Sequence, residues 1–187
     1  LDNDTYTATK LDRRLIPAIV DGKYKLVIIT GNAGDGKTAF VKNIEQNPNV
    51  KDILHFEHNN GARFQVNGIT FESNYDGSQD EREFENNDVL EKFFNPFEKL
   101  EDYNKATEGR IIAINEGRLV EFLTTSEKHK SLASAIENYF YEEGYSQLPD
   151  GVLVINLNLR SVVAKDEGEE SLFTKQIKVL THKQFWV

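Results

Sequence analysis

Residues 25–40 read KLVIITGNAGDGKTAF, and the fold turns on this stretch. Leu26 to Thr30 make a short run of apolar and β-branched residues, the pattern of a buried strand. Gly31-Asn32-Ala33-Gly34-Asp35-Gly36-Lys37-Thr38 follows and fits G-x-x-x-x-G-K-[ST] at every fixed position. The next residues, AFVKNIEQ, can continue as a helix. Strand, glycine loop and helix thus stand in the order that a phosphate cradle needs. Glycines permit a tight turn whose N–H groups converge on an anion, and the helix adds its positive N-terminal end. Lys37 is placed to reach phosphates, and the Thr38 hydroxyl to take one position on Mg²⁺. Asp35 brings a negative charge into the loop. Its side chain is expected to face solvent, leaving its backbone N–H for the anion.

The 187 residues are 39% hydrophobic and 28% charged, which fits one globular domain with a sizeable core. No apolar run approaches membrane-spanning length and no signal-peptide pattern is visible, so a cytoplasmic protein with no membrane partner is expected. Cysteine is absent, which excludes disulfides and thiolate metal sites. Lys and Arg number 22 against 31 Asp and Glu, a net charge of −9. That balance argues against direct nucleic-acid binding by this domain. Leu1 opens a chain without methionine, and Phe185-Trp186-Val187 is an apolar end. The expectation is a piece of a longer protein whose other domains are partners.

Leu11–Val20 has helical spacing at Leu11, Leu15 and Ile19, with Pro17 inside it. The helix after the glycine loop should stop before Asn47-Pro48. Asp52–Phe56 reads as a strand. Residues 62–66 and 69–73 alternate around Asn67-Gly68, a strong hairpin signal, with Phe64, Val66, Ile69 and Phe71 on one face. This hairpin, residues 62–73, is read as a small insertion. An acidic, Asn-rich loop spans 74–88, and its spacing lacks the calcium-loop order. Val89–Leu100 is helical with a bend at Pro96. Arg110–Asn115 is a buried strand, Ser126–Glu143 a helix with Leu132, Ala135, Ile136, Tyr139 and Phe140 inward, Gly151–Leu159 a strand, and Ser171–Leu180 a helix. His55, His58, His129 and His182 show no metal-ligand spacing and read as surface or strand-end residues. Strands alternating with helices predict an α/β fold with a mostly parallel sheet.

Two further segments carry polar residues at strand ends, where ligands bind in open α/β sheets. RIIAINE, residues 110–116, resembles a Walker B segment, with Asn115-Glu116 where Asp-Glu is usual, and that resemblance implies the chemical roles. Glu116 is a candidate general base for an attacking water, or else a helix-starting acid. Asn115 is either a residue of a magnesium shell, bonding a metal-bound water without contributing charge, or a plain strand-end amide. Along Gly151–Arg160, the residues Val152, Val154, Asn156, Asn158 and Arg160 share one parity and turn polar at the end. Asn156 or Asn158 could sense a terminal phosphate, and Arg160 could touch phosphate or a neighbouring subunit.

GNAGDGKT at 31–38, the distant hhhhNE at 111–116 and the polar-tipped strand at 152–158 together resemble P-loop ATPases of the additional-strand glutamate division, most of all the AAA+ and STAND types. GNAGDGKT, INEGRL and NLNLRS are also similar to stretches of large bacterial ATPases of anti-phage and restriction systems. The resemblance implies a three-layer α/β/α sandwich in which the strand of 151–159 lies between the glycine-loop strand and that of 110–115. It implies ATP and Mg²⁺ as cofactors. Gly31, Asn32, Ala33, Gly34, Asp35, Gly36, Lys37, Thr38, Ala39, Asn156, Asn158 and Arg160 would bind the nucleotide. Thr38 and Asn115 would serve the metal, and Lys37 and Glu116 catalysis. The implied activity is slow ATP hydrolysis that drives a switch or motor in a larger bacterial protein, possible in a homo-oligomer and in defence against foreign DNA. Asn115 replaces the usual Asp and favours a nucleotide-sensing module without turnover as one alternative. A small-molecule kinase is the other. Asn104-Lys105-Ala106-Thr107 lacks the Asp of a guanine motif, and no LSGGQ-like signature occurs.

Overall fold

β1, Leu26–Thr30, is buried along its whole length. Its apolar run shows no alternation because both of its faces are covered. In the computed structural model, which describes residues 10–79, 85–141 and 147–159, it lies inside a six-stranded mixed sheet. β5 (Gly109–Ala113) and β6 (Val152–Asn156) pair with β1 on either side, both parallel. β2 (Val50–His55), β3 (Ala62–Val66) and β4 (Ile69–Asn74) continue outward in the order β2-β3-β4-β5-β1-β6. β4 runs parallel to β5, whereas β2–β3 and β3–β4 are antiparallel.

Helices cover both faces. α1 (Lys10–Val20) and α2 (Lys37–Glu45) bury Ile16, Ile19, Phe40, Val41 and Ile44 against Val27, Ile29, Phe64, Phe71 and Ile111. α3 (Asn86–Phe94), α4 (Glu116–Thr125) and α5 (Lys130–Tyr141) bury Leu90, Phe94, Leu119, Phe122, Leu132 and Ile136 against Leu26, Ile28, Ile112 and Val154. Adjacent β1 residues feed opposite cores, as the strand period of two requires. The α/β class is therefore observed. α3 gives way at Asn95 to a 3₁₀ turn holding Pro96, where the missing N–H ends the regular helix.

Four expectations are corrected. The 62–73 hairpin is not an appendage: β3 links β2 to β4, and β4 joins the sheet directly to β5. Phe64 and Phe71 do share a face and stack with ring centroids 6.0 Å apart, with Val66 and Ile69 beside them. The 151–159 segment does not lie between β1 and β5; those two strands pair directly, and β6 takes the other side of β1. An apolar run fits any interior slot, so composition could not order them. β6 also ends at Asn156, and Leu157–Leu159 is a 3₁₀ turn, which breaks the parity that linked Asn156 to Asn158. Finally, α5 starts only at Lys130, Ala133 takes a buried position where Ala135 was expected, and Tyr139 is exposed. Arg160 and the 171–180 helix lie outside the described residues.

His129 is buried, not on the surface, and neither ring nitrogen has a hydrogen-bond partner. Its ring sits 5.8 Å from Phe94 and 6.1 Å from Phe122. Burial pushes its pKa below the ordinary 6.5; Glu91 and Glu98 oppose the shift and Lys128 adds to it. The native ring thus stays neutral where an unfolded chain would take a proton. Stability from this group is intact above the unfolded value and falls as pH drops below it. Melting temperature should fall between about pH 7.5 and about pH 5.5, and less so in His129→Phe. An equal fall in both proteins would show that His129 carries none of it.

Gly109 starts β5 directly opposite Phe71 in the parallel register. A Cβ at Gly109 would come within 2.1 Å of the Phe71 ring. Gly109→Ala should therefore cost about 1–3 kcal/mol in urea unfolding, with little change in m. An unchanged midpoint would mean that the ring moves aside freely.

Candidate functional site

The loop between β1 and α2 takes its shape from glycines at two demanding positions. Gly34 and Gly36 both have φ of 86°, a left-handed conformation that side chains disfavour. Gly36 is the N-cap of α2 and supplies no capping side chain, so the amides of the first turn are left for another acceptor. Lys37 opens the helix, and its Nζ donates to the carbonyls of Gly31 at 2.9 Å and Asn32 at 2.8 Å. Thr38 Oγ1 donates to the carbonyl of Tyr75 at 3.0 Å. Ala33 is exposed and Ala39 half-buried.

Asp35, expected to face solvent, is half-buried and turned back onto the loop. Its Oδ2 accepts the Asn32 N–H at 2.5 Å. The same N–H is shared with Asn158 Oδ1 at 3.0 Å. A backbone donor aimed into a loop takes whichever acceptor is at hand, and a carboxylate three residues away is at hand.

A chain of side chains leads from this loop across the strand ends. Asn158 N–H donates to Asn156 Oδ1 at 3.0 Å, and Asn156 Nδ2 lies 3.5 Å from Glu116 Oε2. Glu116 is the first residue of α4 and half-buried. Asn115 is the N-cap of α4, its Oδ1 accepting the Gly117 N–H at 2.9 Å. That oxygen serves the helix end, and the amide it holds is one that would otherwise lack a partner. The structure thus brings Asn32, Asp35, Lys37, Glu116, Asn156 and Asn158 into one connected cluster at the carboxyl ends of β1 and β6. Asn115 borders that cluster without a bond into it among the described residues, and Arg160 lies outside them.

From the sequence, Asp76 reads only as one of the acids of the 74–88 loop, weighed for calcium and expected to be solvated. It follows Tyr75, the partner of Thr38, just beyond the end of β4. Its Oδ1 accepts from Ser78 N–H at 3.0 Å and Ser78 Oγ at 2.5 Å, and its Oδ2 from Gln79 Nε2 at 3.0 Å. Its own N–H is held by Asn60 Oδ1 and Asn74 Oδ1. The signal was present: TFESNYD is a strand that ends in an acid. It was masked by reading 62–73 as decoration. Tyr75 is buried, and its phenol is pushed well above its ordinary pKa, first by burial and then by the bond it donates to Glu45.

The donor set suits a hard cation. Thr38 offers a hydroxyl and Asp76 a carboxylate whose Oδ2 keeps one lone pair beyond its bond to Gln79, both oxygen ligands of the kind Mg²⁺ prefers. Among the described residues no group of three or more His, Cys, Asp or Glu side chains is arranged to hold a metal, so such an ion would depend on oxygens of a bound ligand. Likewise, no described helix is long and apolar enough to cross a membrane. A cavity of about 230 Å³ lined by Phe56, His58, Asn74, Lys92 and Phe93 is not lined by any residue of the glycine loop. Comparison with protein families, curated proteins and solved structures gives no match to this chain.

Proposed function

We propose that the chain binds ATP with Mg²⁺ through residues 31–39 and hydrolyses it slowly, as the switch or motor of a larger protein. The observation that carries this reading is the glycine loop on a central parallel strand, with Lys37 and Thr38 opening an uncapped helix. Backbone N–H groups of the loop and the α2 end would hold the phosphates, and Lys37 would exchange its two carbonyl partners for phosphate oxygens. Thr38 and Asp76 would hold the metal, whose role is to neutralise charge on the phosphates. Asp76 supplies the negative charge that Asn115 lacks. Glu116, close to Asn156, would accept the proton of the attacking water. A domain from a bacterial system of defence against foreign DNA is the setting that the sequence resemblance suggests.

Lys37→Ala should abolish binding of a fluorescent ATP analogue while the melting curve stays cooperative. Undiminished affinity would overturn the phosphate-binding role. Glu116→Gln should keep ATP binding and lower turnover by about a hundredfold or more, the usual scale for loss of a general base. Wild-type turnover in that variant would reduce Glu116 to a helix-starting residue. Absence of turnover in the unaltered protein, with binding intact, would favour a nucleotide sensor.

A further inference from the structure

We infer that Asp35 is a built-in competitor for the phosphate site: its carboxylate holds the loop amide of Asn32 and must be expelled before a polyphosphate can enter. This rests on the nucleotide-binding reading above and assigns Asp35 a role opposite to that of its neighbours. Three observations carry it. Asp35 Oδ2 accepts the Asn32 N–H at 2.5 Å, a carboxylate oxygen on a backbone donor. A Cβ built on Gly31 would lie 2.9 Å from that oxygen and 3.3 Å from Asp35 Cβ, so the carboxylate lies close over the start of the loop. Lys37, the cation of the loop, donates to the Gly31 and Asn32 carbonyls around the same turn. The loop is thus closed on an anion and a cation of its own.

An incoming phosphate group is an acceptor with the same sign of charge as Asp35. It cannot share the Asn32 amide with the carboxylate at close range without repulsion. Entry therefore exchanges one anion for another, and the Asp35 side chain swings out. Asn158, which shares the amide at 3.0 Å, loses its hold in the same step. The penalty falls on the phosphates alone and not on base or ribose, so it weakens every polyphosphate ligand by the same factor. Asp35 then acts as a threshold that keeps the site closed to weakly held anions.

The test compares wild type, Asp35→Asn, Asp35→Ala and Lys37→Ala, with ATP·Mg²⁺ and tripolyphosphate·Mg²⁺ titrated by calorimetry. Asp35→Asn keeps an acceptor and removes the charge; Asp35→Ala removes both. The expected result is tighter binding in both Asp35 variants, by about tenfold, the scale of one charge-assisted hydrogen bond. The gain should be equal for the two ligands. If wild type binds, Lys37→Ala does not, and the Asp35 variants bind no tighter, the competitor role is overturned while the nucleotide site stands. A gain with ATP but none with tripolyphosphate also overturns it. Binding by none of the four proteins overturns the site and the competitor together.

Discussion

A carboxylate buried at the far end of α2 fixes the geometry of the whole strand-end face. Glu45 lies in the last turn of that helix and is only 4% exposed. A charge taken so far from water must be met by good donors or it destabilises the fold. Ser73 Oγ donates to its Oε1 at 2.5 Å and the Tyr75 phenol to its Oε2 at 2.8 Å, both from the end of β4. The Lys42 ammonium stands 5.4 Å above the Tyr75 ring from the same helix. At the opposite end of α2, Thr38 bonds the Tyr75 carbonyl. Nine residues of helix span about 13 Å, and Tyr75 is joined to both ends through different atoms. The loop before α2 therefore cannot shift relative to β4 without breaking the Thr38–Tyr75 bond.

That fastening explains why the hairpin is part of the sheet. β4 must sit beside β5 for Tyr75 to reach α2, and β3 carries the partner that pins β4. Ala62 N–H donates to Ser73 Oγ, which orients the hydroxyl that then serves Glu45. Asn60, in the turn before β3, bonds the Asp76 amide and carbonyl and the Asn74 side chain. Both Asn60 and Asn74 are buried. Buried amides bonded to several partners specify one arrangement and penalise alternatives. The acid that follows Tyr75 is thus positioned by a turn 16 residues earlier in the chain as well as by its neighbours Asn74, Ser78 and Gln79.

Much of the fold was legible because it depended on local pattern. β1 and the glycine loop were readable from residues 26–38, and the Asn67-Gly68 turn from two residues. Asn115 and Glu116 were placed at the strand-to-helix junction where they stand. Order across the sheet was not legible, since Ile111–Ile114 and Val152–Ile155 are equally apolar and either fits beside β1. Glu45 was invisible as well: in KTAFVKNIE it looks like an ordinary solvent-facing helix residue, and only the arrival of Ser73 and Tyr75 from β4 allows its burial. His129 misled for the reverse reason. A lone histidine in SEKHK reads as surface, yet Phe94 and Phe122 close over it. Asp35 was placed correctly in the loop and oriented wrongly, because the sequence shows a repulsion with a ligand but not an attraction to a free amide.

Asp35 shows how the donors of a glycine loop are met from within the chain. Convergent N–H groups are costly to leave without acceptors, so a loop shaped for phosphate has reason to relax onto whatever acceptors the chain provides. Here Asn32 finds Asp35 and Asn158, and Lys37 finds two carbonyls, while the first-turn amides of α2 have no side-chain cap. On the proposed reading, ligand entry replaces these contacts one for one, and affinity measures only the difference between the two sets. The Asn158 contact adds a mechanical consequence. It ties the loop to the 3₁₀ turn that follows β6, and through Asn156 to within 3.5 Å of Glu116 at the start of α4. Release of the Asn32 amide by a ligand would loosen that turn and free Asn156 to reorient beside Glu116. Occupancy of the loop and the setting of the proposed base then depend on one shared hydrogen-bond donor, and not on separate parts of the fold.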